Sequence, residues 1–219
     1  MYIPAHFAEE RLEVLHQLIH THPLGTLVTL DADGLNANHI PFEIAAPTAD
    51  APHGILRAHV ARNNPVWKTA SREVDSLVVF QGAQHYISPG WYEEKEISGK
   101  VVPTYNYATV HAHGLLRVID DPVWLRALVE RLTRRHEAIR QTPWQVGDAP
   151  ADYIEKMLGA IIGIEIPVTR LAGKWKASQN RSEADRLKVV QELNELNQLK
   201  PDSNAAGMAR LVAGDTSDQ

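Results

Sequence analysis

Between Gly99 and Gly114 the chain reads Gly-Lys-Val-Val-Pro-Thr-Tyr-Asn-Tyr-Ala-Thr-Val-His-Ala-His-Gly. From Val102 onward this alternates with the two-residue period of a β-strand. Tyr105, Tyr107, Thr109, His111 and His113 fall on one side; Thr104, Asn106, Ala108, Val110 and Ala112 fall on the other. A strand that only fills a core carries Val, Ile and Leu on its buried face. This one sets phenols, imidazoles and an amide side by side, as a site for a flat polar ligand needs. The same pattern also suits a half-exposed strand whose Tyr and His meet water. Cations recur close to such rings and amides. Arg62 follows an apolar run, Lys100 opens the alternating strand, and Lys174, Lys176 and Arg181 bracket Trp175. Asn63, Trp91, Tyr105, Asn106 and Gln179 lie near them in sequence. A phosphate attached to a flat heterocycle calls for this mixture: a guanidinium fork for the phosphate, amides for the ring edges and aromatic faces for stacking.

Other chemistries find less. His111 and His113 share a strand face, and His16, His20 and His22 make further close pairs. With His39 and His59 these suggest a metal, but no carboxylate stands at ligand spacing beside them, so no metal site is expected. There is no Gly-x-Ser-x-Gly elbow, and Ser178 has no assigned base. Gly-rich nucleotide loops are absent. Arg131, Arg134 and Arg135 share a helix face that could touch phosphates, but a solvated face opposite Leu125, Leu128 and Leu132 explains them better. No helix-turn-helix is recognisable.

The elements that must position these groups follow from periodicity and punctuation. Residues 8–19 read as an amphipathic helix with Leu12, Leu15, Leu18 and Ile19 inward. Thr26–Leu30 and Leu35–Ile44 flank an Asp-Ala-Asp-Gly turn and suggest a hairpin. Ile55–Val60 is a strand, and Asn64 caps a short helix begun by Pro65. Ser76–Gln81 is a strand that Gly82 breaks. The alternating strand extends towards Ile119. Asp121 caps a helix, with Pro122 behind it, that runs to about Arg140. Asp152–Leu158 is a short helix and Ile161–Thr169 a strand in which Pro167 favours an edge or bulge. Ser182 opens a capping box with Asp185 for a helix to Leu199. Asn204 caps a last helix to Val212, and residues 213–219 form a polar tail. Six or so strands joined by short turns favour an antiparallel sheet or barrel with flanking helices.

The 219 residues, 44% of them hydrophobic, suffice for one large domain with a helical appendage. A formal net charge of −5 argues against a surface built broadly for nucleic-acid phosphates. With no Cys there is no disulfide, thiolate nucleophile or Cys-ligated zinc, which fits a reducing cytoplasm. The start lacks the n- and h-regions of a signal peptide, and no apolar run approaches a membrane span.

Several stretches together resemble the PaiB-type FMN-binding transcriptional regulators, split β-barrel flavoproteins related to pyridoxine-phosphate oxidases. They are Met1-Tyr-Ile-Pro-Ala-His-Phe7, His22-Pro-Leu-Gly-Thr-Leu27, His39-Ile-Pro-Phe42, His59-Val-Ala-Arg-Asn-Asn-Pro65, Val79-Phe-Gln-Gly82, Ser88-Pro-Gly-Trp-Tyr92, Gly99 to Tyr107, Gly163-Ile-Glu-Ile-Pro167 and Lys174-Trp-Lys-Ala-Ser-Gln-Asn-Arg181. Tyr105 stands where Trp is usual, Gly90 where Ser is common and Ala177 where Val is common. The resemblance implies a mainly β (α+β) fold, an antiparallel split β-barrel of the FMN-binding type with flanking and C-terminal helices. It implies residues 1–175 as the FMN-binding domain and 176–212 as a helical extension packed on it. It also implies a cytoplasmic homodimer with FMN near the subunit interface. Arg62 occupies the place of a phosphate-holding residue. The cofactor set it implies is His59, Arg62, Asn63, Gln81, Trp91, Lys100, Thr104, Tyr105, Asn106, Tyr107, Trp175, Lys176, Gln179 and Arg181. A negative transcriptional regulator is the function implied; direct DNA contact rests on the resemblance alone. A flavin-dependent oxidoreductase, whose chemistry belongs to the cofactor, and a haem-handling barrel using His111 or His113 are the alternatives.

Overall fold

The computed structural model describes residues 1–215. In chain order its strands are β1 (Ala8–Glu9), β2 (Leu24–Asp31), β3 (Gly34–Pro41), β4 (Glu43–Ala45), β5 (Ile55–Ala61), β6 (Ser76–Ile87), β7 (Thr104–Gly114), β8 (Arg117–Ile119), β9 (Ile161–Pro167) and β10 (Arg170–Lys176). Its helices are α1 (Leu12–Thr21), α2 (Val66–Thr69), α3 (Glu94–Ile97), α4 (Pro122–Glu137), α5 (Ala151–Gly159), α6 (Glu183–Leu199) and α7 (Ser203–Ala213). The pairings are antiparallel, and the chain is α+β. Among the described residues no helix is long and apolar enough to cross a membrane. Two compact units emerge: Met1–His22, Val79–His111 and residues 172–215 form one; Pro23–Val78 and Ala112–Leu171 form the other. Helices α6 and α7 share a unit with the N-terminal segment.

In the first unit the strands run in the order β1, β10, β7, β6. On β7 the residues Asn106, Ala108 and Val110 are buried, while Tyr105, Tyr107 and His111 keep some exposure. Helix α1 covers that buried face. A Cβ on Gly82 would lie 3.0 Å from Leu18 Cδ1, and one on Gly173 would lie 2.2 Å from Leu15 Cδ2. These two glycines let the helix approach the sheet closely. The first explains why β6 continues through Gly82 instead of breaking there: the missing side chain serves packing, not a turn. Residues 8 and 9 are strand, not the first turn of a helix, because they pair with Lys174 and Gly173. The Glu9 carboxylate then accepts from the backbone N–H and guanidinium of Arg11, and the helix starts at Leu12. Helix α6 begins at Ser182, whose Oγ accepts from Asp185 N. Helix α7 is capped by Asp202 and not by Asn204, whose amide oxygen instead accepts from Gln84 N. Arg186 on α6 donates twice to the Val212 carbonyl and ties the two helices together.

The second unit holds the β2–β3 hairpin and a sheet ordered β4, β5, β9, β8. Gly34, at φ +115°, supplies the hairpin's left-handed corner. Ile44, Leu56, Ala58, Val60, Ile162, Ile164 and Ile166 are buried. Glu43, Arg57 and Glu165 lie opposite one another in register on alternating positions. Helix α4 approaches this polar side. Trp124 would sit 2.5 Å from a Cβ on Gly163, and Arg131 pairs with Glu43 at 2.8 Å. Asp121 caps α4 through Val123 N and Trp124 N, with Pro122 at the first position. At α2, Asn64 Oδ1 accepts from Val66 N one residue before the helix proper.

Candidate functional site

On the face of the first unit's sheet opposite α1, Thr109 and Lys174 are buried but other side chains reach solvent. Gln81 of β6, Tyr105 and Tyr107 of β7 and Lys176 of β10 all retain exposure. Lys174 and Lys176 are two residues apart on one strand and therefore project to the same side. The Lys176 ammonium donates to Thr104 Oγ1 and, at 2.8 Å, to the Tyr105 carbonyl. The Lys174 ammonium donates to the Tyr2 carbonyl at 3.1 Å and lies 5.3 Å from the Tyr107 ring centre. Lys174 is only 8% exposed. Among the described residues neither lysine makes an ion pair. Burial, and secondarily the charge of Lys174, pushes the Lys176 ammonium below the ordinary lysine range. Two cations held by carbonyls, a hydroxyl and aromatic faces, with no carboxylate to balance them, fit an anionic ligand that carries a ring.

A polar layer lies on the other side of these strands. Asn106 Nδ2 donates to Ser178 Oγ at 2.9 Å, and both side chains are buried. Ser178 holds φ +62°, the one non-glycine in the left-handed region among the described residues. Gln179 folds back on its own strand end, donating to the Trp175 carbonyl and accepting from Ala177 N. Arg181 stacks 4.4 Å above the Tyr92 ring, and burial raises the Tyr92 phenol. Trp175 is 4% exposed and lies close to Gly173 under α1, so its ring belongs to the core.

The sequence-predicted set is thus divided. Thr104, Tyr105, Tyr107 and Lys176 meet on the open face, with Gln81 exposed on β6. Asn106, Trp175, Gln179 and Arg181 build the layer behind it. Lys100 is exposed in the segment before β7, and Trp91 packs 6.0 Å from the His85 ring in a turn capped by Ser88. His59, Arg62 and Asn63 lie in the second unit. There Arg62 is held on Asp120 through both terminal nitrogens, at 2.9 and 2.7 Å, and on the Gly159 carbonyl through Nε. Asn63 is exposed. Sequence reasoning left Lys174, Tyr2 and Tyr92 out of the set. The i, i+2 spacing of Lys174 and Lys176 was the available signal, and it is informative only once Gly173–Lys176 is seen to be strand. Among the described residues no group of three His, Asp or Glu side chains could hold a metal.

A family described as "Putative FMN-binding domain" matches residues 1–170. A Bacillus subtilis protein named "Protease synthase and sporulation protein PAI 2" is 31% identical over 215 residues, 97% of this chain and 96% of its own. An uncharacterized protein of Emericella nidulans is 39% identical over 87% of this chain and 89% of its own. Among solved structures, the flavocytochrome Anf3 from Azotobacter vinelandii is similar with a TM-score of 0.57 at 12% identity, over 83% of this chain and 75% of its own. The FAD and heme binding protein from Mycobacterium smegmatis is similar with a TM-score of 0.55 at 17% identity, over 80% of this chain and 76% of its own. At such identities these structures speak for the fold, the split-barrel flavoprotein type.

Proposed function

This chain belongs to the family of FMN-binding domains, with FMN as its cofactor, and from that membership we propose a flavin-carrying regulatory protein whose FMN lies on the open face of the first unit. The phosphate would meet Lys176, with Lys174 behind it, and the ring would lie along Tyr105 and Tyr107. One observation carries this placement: two ammonium groups on one strand face with only neutral partners. When bound, FMN supplies the redox chemistry; the residues here bind and orient it. The regulatory reading is supported by the Bacillus relative, whose name refers to protease synthesis and sporulation, not to a reaction. In the arginine row of α4, Arg131 is spent on Glu43 and so lends little to direct DNA contact, and Arg140, beyond the helix end, is spent on Glu137. A homodimer is supported by the outward side of the β2–β3 hairpin, where Leu24, Leu30 and Leu35 are 62%, 40% and 81% exposed. Native purification tests the reading. Flavin absorbance without turnover of NAD(P)H is the expected outcome; steady turnover makes the protein an oxidoreductase, and a Soret band with added haem makes it a haem carrier.

The family resemblance also implies a phosphate contact at Arg62. Asp120 now competes for that guanidinium, so Asp120→Asn is the discriminating substitution. With the phosphate on Lys176, FMN affinity is expected to stay at the wild-type value in an equilibrium titration. Tighter binding in Asp120→Asn would return Arg62 to the site.

A further inference from the structure

His59 faces α4 within the second unit. It lies opposite Gly163 in register, on the side that Trp124 approaches. Its Nδ1 is buried and, among the described residues, has no hydrogen-bond partner. Burial also holds the imidazole below the ordinary histidine range, so it is neutral at pH 7. A buried N–H without an acceptor is rarer and costlier than a buried lone pair without a donor. The proton therefore belongs on Nε2, and the ring offers a donor on its other edge. His59 lines a cleft of about 340 Å³ whose walls include Pro41, Val129 and Leu132, with Thr133, His136, Glu137 and Trp144 beside them. Trp144 is 44% exposed. The Glu137 carboxylate accepts from Arg140 Nε and Trp144 N, at 3.2 and 3.1 Å. That contact fixes the Trp144 loop against α4 and engages the one carboxylate that could satisfy His59 from within the cleft.

A mostly apolar slot with an indole at its side, and with His59, Thr133 and His136 as its donors, specifies its occupant. The ligand must be flat, must be small, and must carry an oxygen acceptor. We propose that this cleft is a second ligand site, for a small aromatic molecule bearing a carboxylate or carboxamide, with the oxygen on His59 and the ring against Trp144. This removes His59 from the flavin set and makes the cleft the place where a metabolite could signal to the protein independently of FMN.

Ligand-detected NMR titration of the full chain, as isolated, with benzoate, benzamide and benzylamine is the test. Benzoate and benzamide bind and benzylamine, which has no acceptor, does not. His59→Phe weakens both acceptor ligands by about tenfold or more, the size of a lost hydrogen bond to a partly desolvated group. His59→Gln, which keeps an N–H, restores part of that loss. Trp144→Ala changes an exposed residue, so it gives a readout even if His59→Phe fails to fold, and it too weakens binding. Excess FMN leaves benzamide binding unchanged. Benzylamine binding as well as benzamide, wild-type affinity in Trp144→Ala, or displacement by FMN would each overturn the proposal. The benzylamine, His59 and Trp144 outcomes do not depend on where the flavin phosphate sits, and the Asp120→Asn titration tells a displaced ligand from a flavin held at Arg62.

Discussion

Lys176→Met is expected to raise the dissociation constant for FMN by one to two orders of magnitude while leaving that for riboflavin nearly unchanged. A hydrogen bond to a charged group contributes about 1.5–3 kcal/mol, and the lost partner here is the phosphate that riboflavin lacks. Flavin fluorescence titration reads both constants. Equal weakening of the two flavins would show that Lys176 serves the ring or the fold and not the phosphate. Lys174→Met should weaken FMN binding less, because Lys174 is tucked beneath Tyr2 and acts as charge behind the contact. The pH dependence follows from the direction of the shift. Lys176 is held below its ordinary value by burial and by Lys174, so it loses its proton at lower pH than a free lysine. FMN affinity should fall as alkaline pH is approached, and Lys176→Arg should flatten that fall, since guanidinium stays charged. The sign for stability is opposite. A cation whose folded-state pKa is lowered is less comfortable in the fold than in the unfolded chain. Lys176→Met should therefore keep or raise the stability of the flavin-free protein. A substitution that strengthens the fold and weakens the cofactor marks a residue retained for binding.

How much of this could be read from sequence depends on how local the cause is. The β7 alternation is local, and the structure buries Asn106, Ala108 and Val110 as the two-residue period requires. The caps at Asp121 and Ser182 are local as well, each set by an oxygen two or three residues from its N–H partner. The two halves of the β1–β10 pair are not. Ala8 and Glu9 continue a helical pattern into Leu12, and Gly173-Lys-Trp-Lys has no β-branched residue, so each segment becomes strand only because the other is there. Gly82 and Asn204 carry ordinary breaker and cap signals that tertiary contacts redirect, towards Leu18 and Gln84. Arg62 shows the same limit in the site. Its position after a strand is legible, but the carboxylate that claims it lies 58 residues away. Lys176 reads as one surface cation among several until its strand is known.

Asn106→Leu should cost about 2–4 kcal/mol in urea denaturation, the largest stability loss expected at any candidate site residue. Leu nearly matches the volume, so the loss comes from polarity and shape and not from a cavity. It leaves the Ser178 hydroxyl buried without its amide partner, at about 1–3 kcal/mol, and forces branching methyls where a planar amide fitted. Ser178 also holds a φ of +62°, which a side chain adopts at roughly 1–2 kcal/mol in the wild type and in Asn106→Leu alike. Three further variants separate the terms. Ser178→Ala loses the acceptor and keeps the strain, whereas Ser178→Gly loses the acceptor and releases the strain. Gly should therefore be the milder of the two. In the pair Asn106→Leu with Ser178→Ala both orphaned groups vanish, so the double variant should be destabilised by less than the sum of the singles. Strict additivity would mean that the two residues do not act through their shared hydrogen bond. The same bond sets the path of the chain directly after Lys176, because it anchors Ser178 two residues later. Asn106→Leu should then weaken FMN and riboflavin alike, in contrast to Lys176→Met, which separates them. A residue that positions the site and a residue that touches the phosphate are distinguished by that difference.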